Sequence, residues 1–105
     1  MKKALITGSQ GFVGPYLRRE LAAFGYTTVG LDLQGGDHTI AADLLDAGQV
    51  RTVIGRERPD VVFHRAGQAN VARSWKIPQK TVELNVVAAL NLMEAVRGAN
   101  PDCRM

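Results

Sequence analysis

Short continuous apolar runs alternate along this chain with longer segments in which apolar residues recur at helical spacing. Short apolar runs are typical of buried parallel strands, and recurrence every three to four positions is typical of amphipathic helices. The pattern predicts strands at residues 3–7, 27–32, 38–41 and 61–64. It predicts helices at residues 12–24, 47–55 and 79–97, and a long irregular loop at residues 66–77.

Each predicted helix has an apolar face and at least one terminal signal. The apolar positions are Val13, Leu17, Leu21 and Phe24 in the first helix, Val50, Val53 and Ile54 in the second, and Val82, Val86, Leu90, Met93 and Val96 in the third. Pro15 suits a first turn and Gly25 a carboxyl-terminal cap. Asp43 or Asp46 is expected to cap the second helix, and Pro78 to open the third.

The alternation of strands and helices predicts an α/β fold, specifically a partial three-layer Rossmann-type parallel sheet with helices on both faces. The natural strand order is 3-2-1-4, which is one half of a doubly wound sheet plus one strand. A chain of 105 residues is long enough for one such domain, so residues 1–105 are predicted to form a single unit.

A glycine-rich turn connects the first strand to the first helix. Gly8 allows the tight turn, Gly11 leaves room for a pyrophosphate, and Gly14 lets the helix lie close to the strand. The first helical turn then presents unpaired N–H groups to the anion. Three glycines also occur in ordinary turns, so the flanking strand and helix are what favour a dinucleotide site.

Asp32 ends the second predicted strand, where a carboxylate can accept hydrogen bonds from the hydroxyls of an adenosine ribose. The alternative is a solvated carboxylate at a strand end. An acidic side chain there disfavours a 2′-phosphate, so the predicted cofactor is NAD, with NADP less favoured.

Composition and charge limit the classes of function that the chain can have. The net charge of +3 comes from dispersed basic residues, with no basic run, so nucleic acid is not expected. The single cysteine, Cys103, fits a reducing cytoplasm, and no apolar run is long enough to predict a membrane span. His38 and His64 lack the spacing of metal ligands, so no metal site is predicted.

Four segments resemble extended short-chain dehydrogenases/reductases, the family of nucleotide-sugar epimerases, dehydratases and reductases. Residues 7–14 resemble its Thr-Gly-x-x-Gly-Phe-x-Gly signature. Residues 43–44 resemble an acid–Leu pair after the third strand, residues 60–68 the strand-four motif Asp-x-Val-x-His-Leu-Ala-Ala-Gln, and residues 85–96 the motif Asn-Val-x-Gly-Thr-x-Asn-Leu-Leu-Glu-Ala-Val. Residues 68–75 and 100–104 look most like the branch that acts on GDP-sugars, which includes GDP-mannose dehydratases and related reductases.

The resemblance implies a set of site residues that contact the cofactor. They are Gly8, Ser9, Gln10, Gly11, Phe12, Val13 and Gly14 at the pyrophosphate, Asp32 and Leu33 at the adenosine ribose, Asp43 and Leu44 at the adenine, Arg65 at a strand end beside the phosphates, and Ala66 and Gly67 toward the nicotinamide. Asn85 matches a helix asparagine that helps hold a proton-relay water. Its alternative reading is a polar residue that interrupts the helix under the sheet.

Three departures and one missing pair accompany the resemblance. Arg65 stands where the family has leucine, Gly67 where it has alanine, and residues 88–89 are Ala-Ala where it has Gly-Thr. The family's catalytic Tyr-x-x-x-Lys is absent, because neither Tyr16 nor Tyr26 is followed by lysine four residues on.

Two hypotheses follow from the missing pair. The first is that the chain is the amino-terminal part of an NAD(P)-dependent nucleotide-sugar enzyme, truncated before its catalytic residues. It would then meet the nucleotide-sugar only together with the rest of the enzyme. The second is a stand-alone, non-catalytic nucleotide-binding or oligomerisation module. A homo-oligomer is also predicted, through the exposed edge of the fourth strand, through the last helix at residues 79–97, or through both. The resemblance implies the part of the helix, because this helix contributes to a dimer bundle in the family.

Overall fold

The computed structural model describes residues 2–9, 14–36, 38–65 and 78–105, with the side chains of the last range described from residue 85 onward. Within these ranges lie four strands: β1 (Lys3–Thr7), β2 (Thr27–Asp32), β3 (Thr39–Ala41) and β4 (Val61–Phe63). The same ranges contain three helices: α1 (Gly14–Ala23), α2 (Ala47–Glu57) and α3 (Pro78–Ala99). The predicted loop at residues 66–77 lies outside them.

The strands form one parallel sheet in the order β3-β2-β1-β4, which confirms the predicted topology. Ile6 in β1 pairs in register with Gly30 of β2 and Phe63 of β4, and Gly30 pairs in turn with Thr39 of β3. The carboxyl ends of all four strands therefore meet at one edge of the sheet, which is where ligands bind in folds of this kind.

Alternating residues of β1 serve the two faces of the sheet, as the strand period of two requires. Leu5 lies in the larger cluster, packed with residues of α2 and α3 such as Ile54 and Leu92. Ala4 and Ile6 lie in the smaller cluster on the opposite face, against Leu21 of α1. The result is the three-layer arrangement that the sequence predicted.

Helix α1 ends in a Schellman motif. Gly25 has a φ of 89°, its N–H donates to the Ala22 carbonyl, and the Tyr26 N–H donates to the Leu21 carbonyl. The helix therefore ends before Phe24, whose side chain is 80% exposed. The expected inward position of Phe24 was wrong, because the chain has left the helix one residue earlier.

Helix α2 begins as predicted and ends two residues later than predicted. Asp46 is its amino-terminal cap, accepting a hydrogen bond from the Gln49 N–H. At the other end Arg58 takes a left-handed conformation and donates its N–H to the Ile54 carbonyl, so an arginine fills a place that glycine usually takes.

Two strands are one residue shorter than predicted. His38 has a positive φ, of 56°, so β3 begins at Thr39 rather than at residue 38. Strand β4 similarly ends one residue early, at Phe63.

The buried face of α3 differs from the predicted one. Its buried residues are Ala88, Leu92, Ala95 and Val96. Of the predicted stripe, Val82 has no described side chain, Val96 is buried, and Val86, Leu90 and Met93 are all more than half exposed. The segment is apolar on two sides, so periodicity alone selected the wrong one.

The outer edge of β4 is not free along its whole length. The Val62 N–H donates to the Arg104 carbonyl at 2.7 Å, and the Arg104 N–H donates to the Asp60 carbonyl at 3.0 Å. Val61 and Arg104 form a parallel bridge. These bonds correct the expectation of an unpaired fourth-strand edge.

Two leucines two positions apart on α3 test this packing. Leu92 is fully buried and Leu90 is 53% exposed. We expect Leu92→Ala to lower the free energy of unfolding by about 2–5 kcal/mol, as a buried large-to-small change does. Leu90→Ala should change it by no more than about 0.5 kcal/mol, as is usual at exposed sites. Urea unfolding at low protein concentration measures both, and equal losses would contradict the packing.

Candidate dinucleotide site

The turn after β1 is joined to the end of β2 by backbone hydrogen bonding. Gly8 adopts a φ of 65°, a conformation that costs glycine little. Its N–H donates to the Leu31 carbonyl at 2.9 Å, which extends the β1–β2 ladder one step past the strand. The turn therefore starts beside Asp32, the next residue of β2.

Helix α1 begins immediately against this turn. A methyl group added at Gly14 would overlap the Ser9 carbonyl oxygen and would lie 2.8 Å from the Ser9 Cα, so only glycine fits there. The amino terminus of a helix carries unpaired N–H groups and a partial positive charge. The turn thus holds the start of α1 at the edge where the strands end, which is the arrangement a pyrophosphate requires.

Asp32 is half-buried at the carboxyl end of β2. Its Oδ1 accepts the Leu33 N–H at 2.7 Å, which orients the carboxylate, and the Leu33 side chain is largely exposed. The structure thus brings Gly8, Gly14 and Asp32 together at one sheet edge, as the sequence predicted.

The turn after β3 contains the predicted Asp43–Leu44 pair. The Asp43 carboxylate accepts the Leu45 N–H at 3.0 Å, which shapes the turn, while the Leu44 side chain is buried in the larger core cluster. Asn91 of α3 donates its side-chain N–H to the Leu44 carbonyl at 2.7 Å. Sequence reasoning missed this anchor, although Asn91 stands in one of the motifs that carry the resemblance.

The end of β4 is tied to the end of β1 by a buried hydroxyl. The Thr7 Oγ1 accepts the Arg65 N–H at 2.8 Å and lies 2.8 Å from the His64 Nδ1. Thr7 is fully buried, and burial lowers the pKa of His64. The Arg65 side chain is exposed, so its charge needs no buried partner.

Several predicted site residues lie outside the described ranges. These are Gln10, Gly11, Phe12, Val13, Ala66 and Gly67. Asn85 lies on α3 with its side chain exposed, and its part in a proton relay stays a prediction. Tyr16 is exposed on α1 with the Arg19 guanidinium 5.4 Å from its ring centre, and Tyr26 packs under α1 before β2.

Among the described residues, no group of three histidine, cysteine or acidic side chains is placed to hold a metal ion. None of the helices they form is both long enough and apolar enough to cross a membrane.

Comparison with known proteins identifies the family. Residues 4–105 match the model of the NAD dependent epimerase/dehydratase family. The chain therefore belongs to this family, and the predicted resemblance and fold class are confirmed. The cofactor expectation of NAD is confirmed at the level of the family.

Curated relatives include more than one kind of nucleotide-sugar enzyme. The chain is 33% identical to a UDP-glucose 4-epimerase of Mycolicibacterium smegmatis over 90% of this chain and 34% of the relative. It is 34% identical to GDP-mannose 4,6 dehydratase 2 of Arabidopsis thaliana over 96% of this chain and 33% of the relative. The chain thus spans about a third of the length of these relatives.

Solved structures agree on the fold. The UDP-glucose 4-epimerase of Thermus thermophilus, in complex with NAD, superposes with a TM-score of 0.82 at 31% identity, covering 92% of this chain and 34% of that one. The Brucella ovis UDP-glucose 4-epimerase, also in complex with NAD, gives 0.82 at 28% identity over 94% of this chain and 33% of its own.

The lowered pKa of His64 predicts a pH dependence of stability. The unfolded chain protonates His64 near its ordinary pKa of about 6.5, whereas the folded chain protonates it only at lower pH. The contribution of the neutral His64 to the free energy of unfolding is therefore fully present above about pH 6.5. It is lost as the pH falls from there through the pKa of the folded chain. Urea midpoints from pH 7.5 to 5 should show this decrease.

His64→Asn keeps a side chain that can hydrogen-bond to the Thr7 hydroxyl and removes the titration, so it should flatten this part of the profile. His38→Asn is the matched control, because His38 is exposed. A profile of His64→Asn with the wild-type slope would contradict the assignment.

Proposed function

We propose that this chain binds NAD and forms the dinucleotide-binding, amino-terminal portion of a nucleotide-sugar epimerase, dehydratase or reductase. The observation that carries the proposal is the meeting of Gly8, Gly14 and Asp32 at the carboxyl edge of the sheet. The closeness of Ser9 to Gly14 leaves no room for a side chain between turn and helix, and this fits a site built from backbone.

Each group of residues would contact the part of the dinucleotide that its chemistry suits. The turn at residues 8–14 would meet the pyrophosphate with backbone N–H groups and the start of α1. Asp32 would accept hydrogen bonds from the adenosine ribose, and the turn at Asp43 and Leu44 would border the adenine. Arg65 would lie beside the phosphates. Ala66 and Gly67 would continue toward the nicotinamide, where hydride transfer is the chemistry that the bound cofactor supplies.

The preference for NAD over NADP rests on charge. A 2′-phosphate would place a dianion beside the Asp32 carboxylate, which repels it, whereas a ribose hydroxyl can donate a hydrogen bond to the same oxygen. Arg65 is the exposed cation at the end of β4, and it does not adjoin Asp32 in the sheet order.

The substrate class comes from the relatives, whose names include a UDP-sugar epimerase and GDP-mannose dehydratases. A nucleotide-sugar is therefore the proposed substrate of the whole protein, with GDP-sugars favoured by the resemblance of residues 68–75 and 100–104. The chain has no Tyr-x-x-x-Lys, so this proposal assigns general acid–base catalysis to residues beyond it, with Asn85 as a supporting group.

Calorimetric titration with NADH and NADPH tests the cofactor assignment. We expect saturable binding that is tighter for NADH. Asp32→Ala should weaken NADH by about 10- to 100-fold, as loss of hydrogen bonds to a charged group does, and should narrow the gap between the two cofactors.

Asp102→Ala is the matched control, since it removes an exposed carboxylate from the turn after α3. It should leave NADH binding unchanged. A folded wild-type chain that binds neither cofactor would refute the proposal, and equal losses in the two variants would refute the role of Asp32.

We also infer that the chain self-associates through α3. The exposed stripe of Val86, Leu90 and Met93 supports this, because an apolar stripe at helical spacing favours packing against another helix.

Sedimentation of the wild-type chain at tens of micromolar should show a dimer, and Leu90→Lys should give a monomer. Thr52→Lys adds the same charge on the exposed side of α2 and should leave the dimer intact. A wild-type monomer would contradict the inference.

A further inference from the structure

Ser9 is enclosed by three elements at once. It is only 9% exposed, although it follows the end of a strand and carries a polar side chain. Its backbone lies against Gly14 at the start of α1, and its side chain lies over Gly30 in β2. Its Oγ is 3.0 Å from the Oγ1 of Thr39 in β3, within hydrogen-bond distance.

The absence of a side chain at Gly30 allows Ser9 to reach Thr39 across β2. A methyl group there would overlap the Ser9 Oγ and would lie 2.6 Å from the Ser9 Cβ and 2.7 Å from the Thr39 Oγ1. Gly30 pairs in register with Thr39, and its N–H donates to the His38 carbonyl at 2.6 Å. The missing side chain in the middle of β2 therefore leaves the space through which the turn after β1 reaches β3.

We propose that the Ser9–Thr39 hydrogen bond across Gly30 is a positioning contact that sets the geometry of the pyrophosphate-binding turn, and this rests on the proposed dinucleotide function. Ser9 is the second of the residues assigned to the pyrophosphate, so its placement fixes where the backbone after it starts. The proposal gives each hydroxyl the role of placing the backbone of the turn and assigns neither of them a contact with the ligand. Their effect on binding is therefore indirect.

The pair also connects the two halves of the cofactor site. The turn after β1 would hold the pyrophosphate, while β3 leads into the Asp43–Leu44 turn that would border the adenine. Thr39 and that turn are separated by only three residues. A turn displaced relative to β3 would misplace the pyrophosphate against an adenosine that is still bound correctly.

A positioning role of the Ser9–Thr39 pair predicts a loss of affinity for the dinucleotide that adenosine does not share. Ser9→Ala and Thr39→Val should each weaken NADH about three- to tenfold, the change expected for one lost neutral hydrogen bond. Adenosine, which has no pyrophosphate, should bind each variant within about twofold of wild type. Titration calorimetry measures NADH, and NMR titration measures adenosine.

A double-mutant cycle isolates the pair from the other contacts of each residue. The double variant should bind NADH no more weakly than the weaker single variant. Thr39→Ser keeps the hydroxyl and should bind NADH as wild type does. Thr52→Val is a matched control, because the Thr52 hydroxyl donates a hydrogen bond within α2, to the Gly48 carbonyl. Urea unfolding should show all variants folded.

The outcomes separate the two proposals. Three outcomes, in a wild-type chain that binds NADH, would overturn the positioning role and leave the dinucleotide function standing. They are single variants with unchanged NADH affinity, a double variant whose loss of NADH affinity is the sum of the single losses, and variants that lose adenosine and NADH affinity equally. A folded wild-type chain that binds no dinucleotide would overturn both.

Discussion

The close approach of the backbone after β1 to its neighbours is the constraint on which the rest of the structure depends. Ser9 touches the start of α1 and the middle of β2, and both contacts exist only because Gly14 and Gly30 lack side chains. A bulkier residue at either place would push the turn away from the sheet. The start of α1 would then no longer lie beside the end of β2, and the carboxylate of Asp32 would lose its relation to the turn.

Much of the fold could be predicted from sequence because its signals are local. The strand order follows from alternating strands and helices, the end of α1 from Gly25, and the start of α2 from Asp46. The face of α3 could not be predicted in the same way. Leu90 and Leu92 are equally apolar, and only the packing of α2 against one side decides that Leu92 is buried and Leu90 exposed.

In the candidate site, too, the features with local signals could be predicted from the sequence and the long-range contacts could not. Gly8, Gly14 and Asp32 could be found from spacing, because each acts through its own backbone conformation or its place at a strand end. The pairs Ser9–Thr39 and Thr7–His64 join residues 30 and 57 positions apart. No periodicity reports which hydroxyl meets which partner over such distances, so these contacts needed the structure.

The long-range contacts share a function that the local signals do not have. The Gly8 N–H ties the turn after β1 to β2, the Ser9 hydroxyl ties it to β3, and the Thr7 hydroxyl ties β1 to the backbone that leaves β4. Asn91 of α3 holds the turn after β3 through the Leu44 carbonyl. Each of these loops at the carboxyl edge is therefore held by a bond from another element. Backbone groups bind a ligand more tightly when their positions are set before it arrives, since ordering them on binding would cost conformational entropy. In the proposed dinucleotide site, the hydroxyls and the amide that sequence reasoning missed are thus the groups that hold the loops around the predicted glycines and carboxylate.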